Sequence, residues 1–237
     1  MLTLAVDTST RAGSLAILRD RSVLRSVATC PSEPHASALF AELDRLLAEL
    51  GLQTRDFDLF AAAGGPGSFT GLRVGLTAVK AFAEAFARPV TAVSTMEAIA
   101  VQAVTPAAPS GVIFGPTLDA RRGQVFGGIY EFRESSSEDL LRIGEEVVMG
   151  ADEFVQMVSE RAAGRPVVFV SPTVGAIVPA VERAVLRSAR LAEVSGVLAP
   201  FVGKLAYARA LRGEVGDALR LDANYVRRSD AEMKWRE

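Results

Sequence analysis

The chain has 237 residues, 49% of them hydrophobic, a net charge of −2 and a pI near 5.7. That fills a core and excludes a disordered chain; it gives no global basic field for a membrane or nucleic acid, which argues against direct RNA binding without excluding it. A single cysteine, Cys30, excludes an intramolecular disulfide framework, and a single histidine, His35, excludes a two-histidine metal site within one chain.

Residues 2–7 read as an apolar strand ending at Asp7. This N-terminus lacks the basic flank and long apolar core of a secretion signal, and no apolar stretch reaches membrane-spanning length. With one cysteine, the expectation is a cytoplasmic protein. Asp7-Thr8-Ser9-Thr10-Arg11-Ala12-Gly13 is turn chemistry, and strands at 14–18 and about 23–28 complete an antiparallel meander. Hydroxyl residues behind a strand-end aspartate cap a hairpin, or hold a phosphate or a metal-bound water; both readings stand. His35 opens the next helix, where a histidine is ordinarily solvated, and a histidine-dependent triad would have to use it. Residues 35–50 repeat apolar side chains at helical spacing, from Ala36 and Leu39 to Leu50, and Gly51 ends them.

The most distinctive stretch is Gly64-Gly65-Pro66-Gly67-Ser68-Phe69-Thr70-Gly71-Leu72-Arg73-Val74-Gly75, between an apolar strand at 59–63 and a helix over about 70–87. Thr70 is a reasonable N-cap. A glycine-rich strand-to-helix corner aims backbone N–H groups at one point and suits an anion; the same glycines also make a tight corner and nothing more. The stretch lacks the Gly-Lys-Ser/Thr ending of a phosphate loop, the third glycine of a dinucleotide fingerprint and the flanking glycines of a nucleophile elbow. Candidate nucleotide or phosphate contacts are Asp7, Thr8, Ser9 and Thr10 with Gly65, Gly67, Ser68, Thr70 and Gly71.

The helix after the loop carries a large apolar stripe, a polar stripe at Arg73, Thr77, Lys80 and Glu84, and a mostly small stripe at Gly71, Gly75, Ala78, Phe82 and Ala85. One apolar stripe suffices for a core. The small stripe points to a second helix, either 35–50 of the same chain or one in another molecule. The expected partner surface takes Leu39 and Leu43 from the first helix, and Gly71, Val74, Gly75, Ala78, Phe82 and Ala85 from the second.

A strand at 89–94 and a short helix at 95–104 precede Pro106 to Gly111, which reads as a lobe boundary. The second half repeats strand, aspartate, turn and strand around Asp119. Strands at 124–132, 141–149 and 167–171, helices at 152–162 and 174–188, and a helix at about 199–212 follow. The expected lobes are 1–105, with helix 199–212 folding back on it, and 106–197, with 213–237 as a tail.

Val6-Asp7-Thr8-Ser9-Thr10, Gly65 through Gly75, Asp119-Ala120-Arg121-Arg122 and Asn224-Tyr225-Val226-Arg227 occur in this order nearly end to end, and the chain resembles the bacterial TsaB (YeaZ) family. The Gly-Pro-Gly-Ser-Phe-Thr-Gly segment is the specific part. The resemblance implies an α/β chain with the two-lobed fold of actin, hexokinase and the Hsp70 ATPase, each lobe RNase H-like with a mixed sheet. It implies a role in making threonylcarbamoyladenosine beside the tRNA anticodon. There a related partner, TsaD, performs the transfer, TsaE is an ATPase, and TsaB is the dimerisation subunit that binds and activates TsaD. It also implies a homodimer in isolation and contact with tRNA only through the complex. The catalytic relative carries a His-x-x-x-His metal motif whose positions fall here on Thr95 and Ile99. Neither replaces an imidazole, so the expectation is no catalytic residue, metal or cofactor in the chain alone, with ATP or ADP left open at the interface of the complex. The competing readings are a small kinase or ATPase using Asp7, and a peptidase, for which no nucleophile–base pair assembles.

Overall fold

The structure is a computed structural model that describes residues 1–30, 32, 34–105, 110–133, 140–184 and 189–227. β1 (Leu2–Asp7), β2 (Ser14–Arg19) and β3 (Ser22–Ala28) form the antiparallel meander. α1 (His35–Leu50), β4 (Leu59–Gly65), α2 (Phe69–Phe86) and β5 (Val90–Ser94) follow. β4 pairs parallel to β1 and to β5, so the sheet order is β3-β2-β1-β4-β5. β1 and β4 are buried along their whole length because both faces of the sheet are covered. On one face Leu39, Leu43 and Leu46 of α1 and Leu72, Leu76 and Val79 of α2 pack with Leu4, Val6, Ile17 and Phe60.

The chain then builds a second sheet. α3 (Thr95–Ala100) leads to β6 (Ile113–Arg121), β7 (Gln124–Gly127), β8 (Tyr130–Phe132), β9 (Leu140–Arg142) and β10 (Val147–Gly150). α4 (Ala151–Ala162), β11 (Val167–Ser171), α5 (Val178–Arg183) and β12 (Ala189–Glu193) complete it. The main order is β10-β7-β6-β11-β12, with β8 pairing β6 and β9. Its core joins Ile113, Val125, Phe154, Val158 and Phe169.

Several elements differ from their sequence patterns. The single strand expected at 124–132 is two, because β7 pairs the far end of β6 and β8 its beginning. The break falls where a side chain on Gly127 would lie 2.2 Å from the Phe154 ring. The strand expected at 141–149 is likewise divided, with a turn at Gly144 (φ +77°). The helix expected from 174 is one 3-10 turn plus the short α5; residues 185–188 lie outside the described residues. β12 lies outside the expected strands, since an edge strand half open to water needs no apolar run.

The last helix, α6 (Ala199–Leu211), returns to the other face of the first sheet. A side chain on Gly203 would lie 2.3 Å from Leu18 and 3.2 Å from Ala5, so glycine lets α6 close on the strands. Ser14, the register partner of Asp7, accepts a hydrogen bond from the Ala199 N–H at 3.0 Å. Residues 213–227 then run as a strap over the first sheet. Gly216 and Val90 exchange hydrogen bonds of 2.9 and 3.1 Å, Ala218 and Leu221 enter the core, and the Asn224 N–H donates to the Gly64 carbonyl at 2.7 Å. The end of the expected tail, 228–237, and the boundary stretch 106–109 lie outside the described residues. Two compact units result, Met1–Thr95 together with the chain from Val197 onward, and Met96–Gly196. Among the described residues no helix is long and apolar enough to cross a membrane.

Candidate functional site

β1 ends on Asp7 and β4 on Gly65, adjacent strands that deliver both sequence-marked loops to the same end of one sheet. The Asp7 carboxylate is fully buried, and its Oδ1 accepts from the Ser9 N–H at 2.9 Å and the Ser9 hydroxyl at 2.6 Å. Its Oδ2 has no hydrogen-bond partner among the described residues. Burial raises its pKa from 3.8 to about 6, with the two Ser9 bonds pulling the other way. Asp119 repeats the turn in the second unit, its Oδ1 accepting from the Arg121 N–H at 2.8 Å.

The glycine corner is closed by the chain itself. The Thr8 hydroxyl donates to the Gly71 carbonyl at 2.7 Å and accepts from the Gly75 N–H at 3.2 Å. The Ser68 N–H donates to the Ser9 carbonyl at 2.7 Å. Side chains on Gly67, Gly71 and Gly75 would lie 2.5, 2.0 and 2.4 Å from Ser9 and Thr8 atoms, so each glycine admits the β1–β2 loop. The N-cap of α2 is Ser68, whose Oγ accepts from the Gly71 N–H at 3.2 Å; this corrects the expectation of Thr70, which is an exposed first-turn residue. The Thr10 hydroxyl donates to the Ala12 carbonyl within the hairpin. The candidate phosphate residues are thus brought together, but Thr8 and Ser9 occupy the glycine face, and the N–H groups of Ser68, Gly71 and Gly75 are already engaged. Among the described residues no group of three His, Cys, Asp or Glu side chains could hold a metal ion. Thr95 and Ile99, at the start of α3 and one turn on, are both fully buried. The His35 side chain lies outside the described part.

The small stripe of α2 is also corrected. Gly71 and Gly75 face the β1–β2 loop, and Ala78 is buried in the chain's own core, as are Leu39 and Leu43 of α1. Thr8 fills the space that a partner helix was expected to take. What remains open lies beside it: Val74 and Phe82 are half-buried and Ala85 exposed. They fall on one side of α2. Phe40 of α1, 46% exposed, meets Phe82 edge-on at 6.2 Å, and Phe82 in turn packs on buried Phe60 at 5.6 Å. The apolar period of the first helix includes Phe40 with Leu39 and Leu43, but sequence reasoning left it out of the partner surface. It also missed the meeting of Phe69, Arg73 and Tyr225. The two rings lie 5.0 Å apart, and the Arg73 guanidinium sits 4.0 Å from the Phe69 ring centre.

Comparison with known proteins adds lineage to this geometry. The family model described as TsaD, tRNA N6-adenosine threonylcarbamoyltransferase, matches residues 28–197. The chain is 30% identical to the tRNA threonylcarbamoyladenosine biosynthesis protein TsaB of Bacillus subtilis over 99% of this chain and 98% of that one. The structure matches YeaZ from Pseudomonas aeruginosa with TM-score 0.73 and 28% identity, covering 94% of this chain and 99% of that one. It matches a polyphosphate/ATP-glucomannokinase from Arthrobacter with TM-score 0.55 and 11% identity, covering 89% and 99% of the two chains, a likeness of fold alone.

Proposed function

The chain belongs to the TsaB family of tRNA threonylcarbamoyladenosine biosynthesis proteins, and from this premise we propose that it is the non-catalytic subunit that binds and activates a TsaD-type transferase. The docking surface in this reading is the face shared by α1 and α2, with Phe40, Val74, Phe82 and Ala85 as contacts. The observation that carries it is Phe40, an aromatic ring 46% exposed on the first helix and packed edge-on against Phe82 of the second. Exposed aromatic rings with a packed neighbour beneath them are the usual anchors of protein interfaces. The closed glycine corner supports a non-catalytic role, since Ser9 and Thr8 already engage the Ser68 and Gly75 N–H groups and fill the face a phosphate would approach. In this reading the transfer belongs to the TsaD-type partner, nucleotide turnover to a TsaE-type ATPase, and tRNA is met through the complex in the cytoplasm.

The test is Phe40→Glu. Burying an uncompensated carboxylate costs about 3–5 kcal/mol, which weakens association more than about a hundredfold. Phe40 is exposed, so the variant keeps the melting temperature of the parent chain. Titration calorimetry against the purified transferase reads the affinity. Parent-like binding by the variant would move the docking face elsewhere. ATP turnover by the chain alone, without a partner, would favour the small-ATPase reading.

A further inference from the structure

Arg73 stands exposed on the outer side of α2. A surface arginine ordinarily samples many rotamers, and holding one costs side-chain entropy. This one is held. Its guanidinium carbon lies 4.0 Å from the Phe69 ring centre and 5.9 Å from that of Tyr225. Its Nε donates to the Tyr225 hydroxyl at 3.3 Å, a contact between residues 152 positions apart. Tyr225 reaches it because the strap is fixed just before, by Leu221 in the core and by the Asn224 N–H on the Gly64 carbonyl. Arg73 has no ion pair among the described residues. With Nε engaged, its open edge is Nη1 and Nη2, two coplanar donors with the spacing of two oxygens on one oxyanion.

We propose that Arg73, oriented by Phe69 and Tyr225, is a preformed fork that receives a carboxylate of the docked partner protein. The proposal rests on the docking reading above and adds a polar anchor to its apolar face. Val74, on that face, is the next residue along α2. A protein carboxylate fits better than an RNA phosphate. Along the same side α2 continues with Thr77, Lys80 and Glu84, a mixed stripe and not a basic track, on a chain of net charge −2. Nucleic-acid binding draws its strength from several phosphates at once. A single stacked arginine with a tyrosine beside an apolar patch matches the composition of protein hot spots.

The test measures affinity of the full chain for the purified TsaD-type transferase at low and high salt, with melting temperatures alongside. Arg73→Ala weakens binding about a hundredfold, the scale for breaking a desolvated charge pair. Arg73→Lys weakens it about tenfold, because the charge stays and the fork is lost. Tyr225→Phe weakens it severalfold, and all three variants melt like the parent. If Arg73→Ala and Arg73→Lys bind like the parent while Phe40→Glu does not, the fork is wrong and the docking face stands. If Phe40→Glu also binds like the parent, the docking reading itself has failed. If Arg73→Ala loses affinity only together with several degrees of melting temperature, Arg73 is a strut for the strap and the proposal falls. It falls equally if partner affinity is unchanged and the assembled complex instead loses affinity for an anticodon-arm RNA.

Discussion

Asp7 combines a place in the first strand, full burial and one oxygen without a partner among the described residues. Its pKa of about 6 in the folded chain lies above the 3.8 of a free side chain because burial disfavours the charge. Between those values the folded chain holds a proton that the unfolded chain has released. Stability from this group is therefore present at low pH, falls as pH rises from about 4 to 6, and levels off above. The difference corresponds to about 3 kcal/mol. Asp7→Asn removes the titration, so its stability relative to the parent should rise by that order across the window and stay flat at higher pH. Urea unfolding of both chains from pH 4 to 8 measures it, and a constant difference would show that Asp7 is ionised throughout. The strand-end position of Asp7 was legible in the sequence; its orphaned oxygen was not, because burial is set by residues far along the chain.

At the scale of elements, α2 is fixed by the hairpin that precedes it by some sixty residues. The Thr8 hydroxyl sits between the Gly71 carbonyl and the Gly75 N–H, two groups one helical turn apart. Gly75→Ala would place a methyl 2.4 Å from that hydroxyl. Overpacking of this kind costs about 1–3 kcal/mol, more than the gain in helix propensity from removing a glycine. Thr8→Ala is milder, since the two freed backbone groups are in register to pair with each other. In the double variant the 2.4 Å clash is gone, and the methyl meets Val6 Cγ1 at 3.3 Å and the Thr8 Cβ position at 3.6 Å. The two substitutions should therefore be less harmful together than their sum by about 1–2 kcal/mol. Strict additivity in denaturant melts would mean that the loop and helix do not touch in solution.

For the molecule as a whole, the two units differ in how their cores are assembled. Met96–Gly196 is continuous in sequence and owns its cluster around Phe154 and Phe169. The first unit is discontinuous, because α6 and the strap come from the far end of the chain. A fragment of residues 96–196 should melt cooperatively, whereas residues 1–95 alone should not. Without α6, Ala5 and Leu18 lose their cover, and without the strap Ala218 and Leu221 leave the core. Joining 197–227 to 1–95 by a flexible linker should restore a cooperative transition in circular dichroism. A cooperative melt of 1–95 by itself would show that α6 is dispensable.

The sequence by itself determined the elements whose patterns are local. The meander, α1, β4, α2, β5, β11 and α6 follow from apolar period, turn residues and glycine stops, and the lack of imidazole at Thr95 and Ile99 needs no structure. Only tertiary structure decided which surfaces those elements leave open. A run of small residues at helical spacing signals close approach but not by what; the answer at Gly71 and Gly75 was Thr8 of the same chain. The strands at 124–132 and 141–149 read as continuous because alternation does not reveal a change of pairing partner. Phe69, Arg73 and Tyr225 meet across 152 positions through a strap that has no regular pattern of its own. Periodicity records what each residue does within its element, and docking between distant elements leaves no such record.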